Sequence, residues 1–128
     1  MGLKTRILGA GFGLLAIAAC NTPSVPLPPP ELPQLRFQSP DPAMPNAIIV
    51  QGMPTPAHAN ARFYVYDRVN GSGVITTAAA DGAFSSTPFN GADGDKVQIY
   101  YDTPEGERSQ DVCVELRVNI ALLSIRCF

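Results

Sequence analysis

Across residues 46–128 apolar and polar residues alternate in short runs, and turn residues interrupt them every eight to twelve positions. That rhythm marks an all-β sandwich or barrel, because a half-buried strand turns successive side chains to opposite faces. No stretch carries the 3.6-residue spacing of a long amphipathic helix. Ala47-Ile48-Ile49-Val50 opens the series and is stopped by Gly52, Pro54 and Pro56. Ala61, Phe63 and Val65 then alternate with Arg62, Tyr64 and Tyr66, and Asn70-Gly71 turns the chain out of that strand. Residues 74–79 and 83–87 follow on either side of Asp81-Gly82. Past the 91–95 loop, Val97, Ile99 and Tyr101 share one face, with Lys96, Gln98 and Tyr100 on the other. Val112, Val114, Leu116 and Val118 line a sixth strand beyond the Pro104-Glu105-Gly106 turn, and residues 122–128 supply a seventh. About seven short strands in this space predict two small antiparallel sheets packed face to face.

The N-terminal third reads differently. Lys4 and Arg6 precede an uncharged, apolar and glycine-rich run over residues 7–19 that ends in small residues, the layout of a secretory signal peptide. As a helix that run spans about 20 Å, short of the ~30 Å hydrocarbon core, so a permanent membrane-spanning anchor is not expected. The run closes on Ile17-Ala18-Ala19-Cys20, which resembles the lipobox of bacterial lipoproteins. The resemblance implies a diacylglyceryl group on the Cys20 thiol, cleavage before that residue, and a further acyl chain, such as palmitate, on the new amino terminus. Several acyl chains anchor stably where one is marginal. Asn21 follows in place of Asp, which in a Gram-negative member of that class implies delivery to the outer membrane. The competing reading is an ordinary secretory signal beside an incidental cysteine.

Residues 21–45 hold nine prolines, a density that disfavours helix and central strand and favours extended polyproline II. At ~3.1 Å per residue such a stretch reaches roughly 75 Å. A semi-rigid spacer is expected, with Leu35-Arg36-Phe37 as a candidate edge strand within it; a ligand for a proline-recognition module is the alternative. The organisation is then a signal peptide over 1–19, a lipidated cysteine with its linker over 20–45, and a β domain over 46–128.

Within that domain stand Val50-Gln51-Gly52, residues 61–67, Ala80-Asp81-Gly82-Ala83-Phe84, Gly94-Asp95-Lys96-Val97, and Gly106 with Ser109. In this succession they resemble bacterial immunoglobulin-like and carboxypeptidase-regulatory-like domains. The likeness spans about residues 47–116, and the Asp-Gly-x-Phe turn with the Gly-Asp-x-Val strand is its most specific part. It implies an immunoglobulin-like β-sandwich used as a spacer or adhesive module, with no catalytic residues to carry over. The segment after Leu116 departs from that pattern.

Charge narrows the partners. Without residues 1–19 the chain keeps seven basic against eleven acidic groups, a net charge of about −4. Such a surface is unsuited to nucleic acid or to a polybasic membrane contact. If Cys20 is acylated, Cys113 and Cys127 remain as an even pair in an oxidising compartment, where a small domain gains most from a bridge. Alternation sets Cys113 with Glu115 and Arg117 on the wet face and Cys127 with Leu123 and Ile125 on the other. A bridge therefore requires a bulge or a non-neighbouring strand, and two free thiols are the alternative.

Candidate chemistry is sparse. His58, the one histidine, lies in a loop-like stretch with no motif around Ser72 or Ser85, and it reads as a solvated loop residue. One histidine and two paired cysteines make no zinc ligand set, so neither a metal nor another cofactor nor catalysis is expected. Asp93 and Asp95, and Asp102, Glu105 and Glu107, crowd two turns, and oxygen-rich loops of this kind can hold calcium or a glycan. Asp beside Gly is also what tight turns use. Tyr64, Tyr66 and Tyr100 fall on outward faces, where neighbouring strands would assemble them into an aromatic patch for a partner or into cross-strand pairs that shield the sheet. Two functions follow. One is a membrane-anchored cell-envelope lipoprotein acting as a structural or protein-interaction module with an envelope protein as partner. The other is a ligand-binding lipoprotein holding a glycan or calcium through its acidic loops.

Overall fold

Leu35 and Phe37, set among prolines, begin the folded sheet. The computed structural model describes residues 25–128; the segment expected to be a signal peptide, Cys20 and the start of the expected linker lie outside the described residues. Strand β1 (Leu35–Gln38) alternates buried and exposed positions, and its Leu35 and Phe37 are fully buried. It pairs antiparallel with β2 (Ala47–Gly52), opposing Leu35 to Gly52 and Phe37 to Val50. Strands β3 (Arg62–Asp67), β4 (Gly73–Thr77), β5 (Phe84–Ser85) and β6 (Phe89–Asn90) follow. Then come β7 (Lys96–Asp102), β8 (Val112–Glu115) and β9 (Ser124–Ile125). In one sheet β2 lies between β1 and the β5 and β6 pieces; in the other the order is β4-β3-β7-β8-β9. The described residues form a small all-β sandwich of two antiparallel sheets with nine strands.

The linker boundary expected at 45 is therefore too late. Val50 and Phe89 cannot cover the sheet edge alone, and Phe37, packed edge-on to Phe89 at 6.3 Å, completes that part of the core. Prolines flank β1 but do not enter it, so its backbone donors stay available for the ladder. Even Leu27 is tied down, because its carbonyl accepts the Gln110 N–H at 3.1 Å. At most six residues separate Cys20 from this fold, a reach of about 20 Å where 75 Å was expected.

Two further strands differ from expectation. The strand expected over 83–87 runs on to Asn90 but is split by a bulge. Gln51 faces Ser85, yet Ile48 faces Phe89, so three steps along β2 match four along its partner. Ser86 absorbs the extra residue by giving its N–H to the Val50 carbonyl and taking the Val50 N–H on its Oγ, both at 2.9 Å. The strand expected to reach Val118 stops at Glu115; Val118 crosses to bridge Phe37, and the Asn119 N–H donates to the Phe37 carbonyl at 2.9 Å.

Between the sheets lie Phe37, Ile48, Val50, Phe63, Val65, Val97, Ile99, Val114 and Leu116, all buried. Gly52 is required here, since a Cβ on it would overlap the Phe84 ring, which stacks on Phe63 at 4.3 Å. His58 is buried in this layer, contrary to the solvated loop expected, with its ring 4.9 Å from Phe63 and 5.3 Å from Tyr101. Its Nε2 accepts the Glu31 N–H at 3.3 Å, and burial lowers its pKa, keeping it neutral. Proximity of the linker segment, invisible in the local sequence around His58, is what buries it.

Cys113 and Cys127 meet at bonding distance, with Cα atoms 5.2 Å apart. The alternation conflict dissolves because Cys113 faces Ile125 directly, which puts Leu123 and Ile125 on the outer face rather than in the core. Cys127 lies two residues beyond Ile125 and bridges diagonally.

Phe37→Ala should destabilise the fold by about 3–5 kcal/mol, and a chain starting at Asn46 should lose cooperative thermal unfolding that one starting at Val25 retains; circular dichroism melts decide both. Replacing Cys113 and Cys127 together by alanine should cost roughly 2–4 kcal/mol in urea titrations.

Candidate functional site

The two outer faces are chemically unlike. On the four-stranded sheet the outward side chains include Arg36, Gln51 and Ser85, all exposed and polar. On the five-stranded sheet β3 and β7 are adjacent, and their register sets Tyr64 opposite Tyr100 and Tyr66 opposite Gln98. The rings of Tyr64 and Tyr100 stack 4.8 Å apart and nearly parallel, at 13°. Cross-strand neighbours on one face are close enough for such contact, which adds to the stability of the pair. Both tyrosines are half-buried, whereas Tyr66 is 46% exposed. The three predicted tyrosines thus share one face, and two of them form a shielding pair.

Two residues complete this surface that sequence reading did not single out. Ile75 of β4 lies opposite Tyr64 and is 61% exposed. Its outward direction follows from strand alternation once Val74 is seen to face the core. Arg108 stands in the β7–β8 connection, with its guanidinium 4.7 Å from the Tyr100 ring and 5.5 Å from that of Tyr64. It donates from Nε and Nη2 to the Asp102 carboxylate, at 2.8 and 3.1 Å. That pairing holds the Asp102 carboxyl below its ordinary range and fixes the plane of the guanidinium. No local pattern points to Arg108, because only the hairpin brings it onto the tyrosines. Tyr64, Tyr66, Ile75, Gln98 and Tyr100 line an open groove along β3 and β4.

Asp93, Asp95 and Asp102 of the acidic turns are engaged within the protein. Arg117 binds Asp93 at 2.6 Å and Glu115 at 2.8 Å, and Arg108 holds Asp102. Asp95 accepts the Ala92 N–H at 3.0 Å. Among the described residues no group of three histidine, cysteine or acidic side chains is arranged to hold a metal ion.

Asp67, at the end of β3, is fully buried. Its Oδ1 accepts the N–H groups of Val69 at 2.9 Å and Asn70 at 3.2 Å, which shapes the turn into β4. Its Oδ2 meets no hydrogen-bond partner among the described residues. Burial first, and then the neighbouring Asp95 carboxyl, raise the Asp67 pKa.

These features define a small two-sheet β-sandwich whose larger sheet has an aromatic outer face. In comparisons with known proteins, no family model, no curated protein and no solved structure matches the chain.

Because folded Asp67 keeps its proton to higher pH than the unfolded residue, its contribution to stability is full below the ordinary value of 3.8 and declines as pH rises through the raised value. Asp67→Asn keeps the acceptor for Val69 and Asn70 and offers Asp95 an N–H without a charge to bury. The variant should exceed the parent by about 1–2 kcal/mol near neutral pH, and the gain should shrink toward zero as acid protonates Asp67. Melts of both proteins at the two pH values check this, and the His58 titration cancels in the comparison.

Proposed function

We propose that this is a lipid-anchored protein of the bacterial cell envelope whose sandwich docks an envelope protein through the tyrosine face. The observation that carries this reading is the gathering of Tyr64, Tyr66, Tyr100 and Ile75 on one sheet face with Arg108. Exposed aromatic and arginine side chains on a rigid sheet are the residues that dominate binding energy where proteins meet. Stacking and the Asp102 pairing already restrain Tyr64, Tyr100 and Arg108, so little side-chain freedom is lost on docking.

The Ile17-Ala18-Ala19-Cys20 signal supports the anchor, and Asn21 supports outer-membrane delivery in a Gram-negative cell. The short linker holds the sandwich within about 20 Å of the lipid surface, so the partner is one that is itself at the membrane. The immunoglobulin-like reading is supported by strand order. The sheets β1-β2-β5 and β4-β3-β7-β8 follow the two-sheet Greek-key succession of that architecture, with β9 added beyond it. With Asp93, Glu115 and Asp102 held by arginines, no observation favours calcium or a glycan at the acidic loops.

The test has two arms in the intact envelope. Cys20→Ser should move the protein from the detergent phase to the aqueous phase. A photo-crosslinking amino acid at Tyr100 should capture a discrete envelope protein, while the same probe at Arg36, on the polar sheet, should not. Detergent partitioning unchanged by Cys20→Ser would overturn the anchor, and equal yields at the two positions would overturn the docking face.

A further inference from the structure

A sheet edge is a row of unpaired backbone donors and acceptors, and proteins guard such edges with charge, proline, bulges or short strands. Among the described residues, three of the four sheet edges are guarded. β1 carries the exposed Arg36 and is bridged by Val118, with Asn119 donating to Phe37. β5 and β6 are two residues each, separated by the bulge and Pro88. β9 is two residues long and is followed by Arg126 and the bridged Cys127.

β4 has none of these devices. Residues 69–80 contain no charge and no proline, and β4 pairs with β3 through five successive residues without a bulge. The ladder also shows which backbone groups are left over. The Asp67 N–H donates to the Ser72 carbonyl at 2.7 Å, and the Ala78 N–H donates to the Ala61 carbonyl at 2.8 Å. Even-numbered residues of this strand therefore turn their N–H and C=O toward β3, and Gly73, Ile75 and Thr77 turn theirs away. Among the described residues no other strand pairs with β4. The opposite sheet approaches β4 through β5 and β6, with the Asn90 N–H donating to Ser72 Oγ at 3.0 Å and Thr87 in one groove with Gly73, Val74 and Ile75, but among the described residues it adds no strand pairing to this edge.

We infer that β4 is the docking edge for a second copy of this chain, which adds its own β4 antiparallel about a two-fold axis at Ile75. Self-complementarity singles out this occupant. Centred on Ile75, antiparallel pairing opposes Ile75 to itself and Gly73 to Thr77, so every outward-directed backbone group of one copy meets one of the other. Such an isologous contact closes on itself and leaves no free end to propagate. Like charges do not face one another, because the segment carries none. The side chains agree as well: Ile75, 61% exposed, would meet its counterpart across the axis. The row from Tyr100 through Tyr64 to Ile75 would then continue into the second copy, joining two tyrosine faces into one surface. This pairing does not depend on the lipid anchor or on a partner at the tyrosines.

The test uses the full chain extracted from membranes in mild detergent. Sedimentation should give twice the monomer mass. Ile75→Lys places two ammonium groups against each other at the axis while disturbing no core contact, and it should weaken the dimer about a hundredfold with an unchanged melting temperature at low protein concentration. Ile75→Cys should oxidise to a dimer in the envelope, whereas Arg36→Cys should not. A monomer across the accessible concentration range, a dimer indifferent to Ile75→Lys, or an Ile75→Cys adduct with a different protein would each overturn the inference. Ile75 also borders the proposed docking face, so that reading is judged by the crosslink from Tyr100, two strands from the edge: capture at Tyr100 by a monomer, or a dimer with no capture at Tyr100, leaves one reading standing without the other.

Discussion

The pairing of β3 with β7 sets both what this protein buries and what it displays. Six consecutive residue pairs join the two strands at the centre of the larger sheet. With that register, Phe63 and Val65 face the same core as Val97, Ile99 and Tyr101, while Tyr64 and Tyr66 emerge beside Tyr100 and Gln98. A slip of one residue would expose the first set and bury the second, which is why the register is strongly specified. The stacked tyrosines, the arginine above them and the exposed Ile75 edge all inherit their positions from this one ladder.

Around it the polar interior is arranged by the loops. Asp67 sits where β3 ends, and its Oδ1 organises the turn that launches β4. Its other oxygen is buried without a hydrogen-bond partner among the described residues, and that burial raises the pKa of the carboxyl. His58 plays the matching part at the opposite end, neutral and wedged among Phe63 and Tyr101 while accepting from the Glu31 backbone. Each is a polar group placed in a core at a cost, and each fixes the path of a loop in return.

The proline-rich segment has a double character. Its described prolines flank the ladder without entering it, yet Leu35 and Phe37 belong to the core as firmly as any residue of the later strands. A domain with so small an interior cannot dispense with a buried phenylalanine, and the prolines before β1 place that strand with little entropy left to lose. How much of the proline-rich segment belongs to the sandwich follows from this packing and not from proline content.

Alternation, turn residues and the absence of helical spacing were enough to place the sandwich and most of its strands, because these are local properties that each segment carries alone. The outward direction of Tyr64, Tyr66 and Tyr100 was legible for the same reason. Which strands are neighbours was not, since pairing joins residues distant in the chain: Tyr64 finds Tyr100, and Arg108 folds over both, only once β3 and β7 meet. Membership of β1 in the core, burial of His58 and the diagonal bridge from Cys113 to Cys127 were likewise decided by tertiary structure. In each case the local pattern allowed two environments, and the choice fell to whichever contact lowered the exposed apolar area of the whole sandwich.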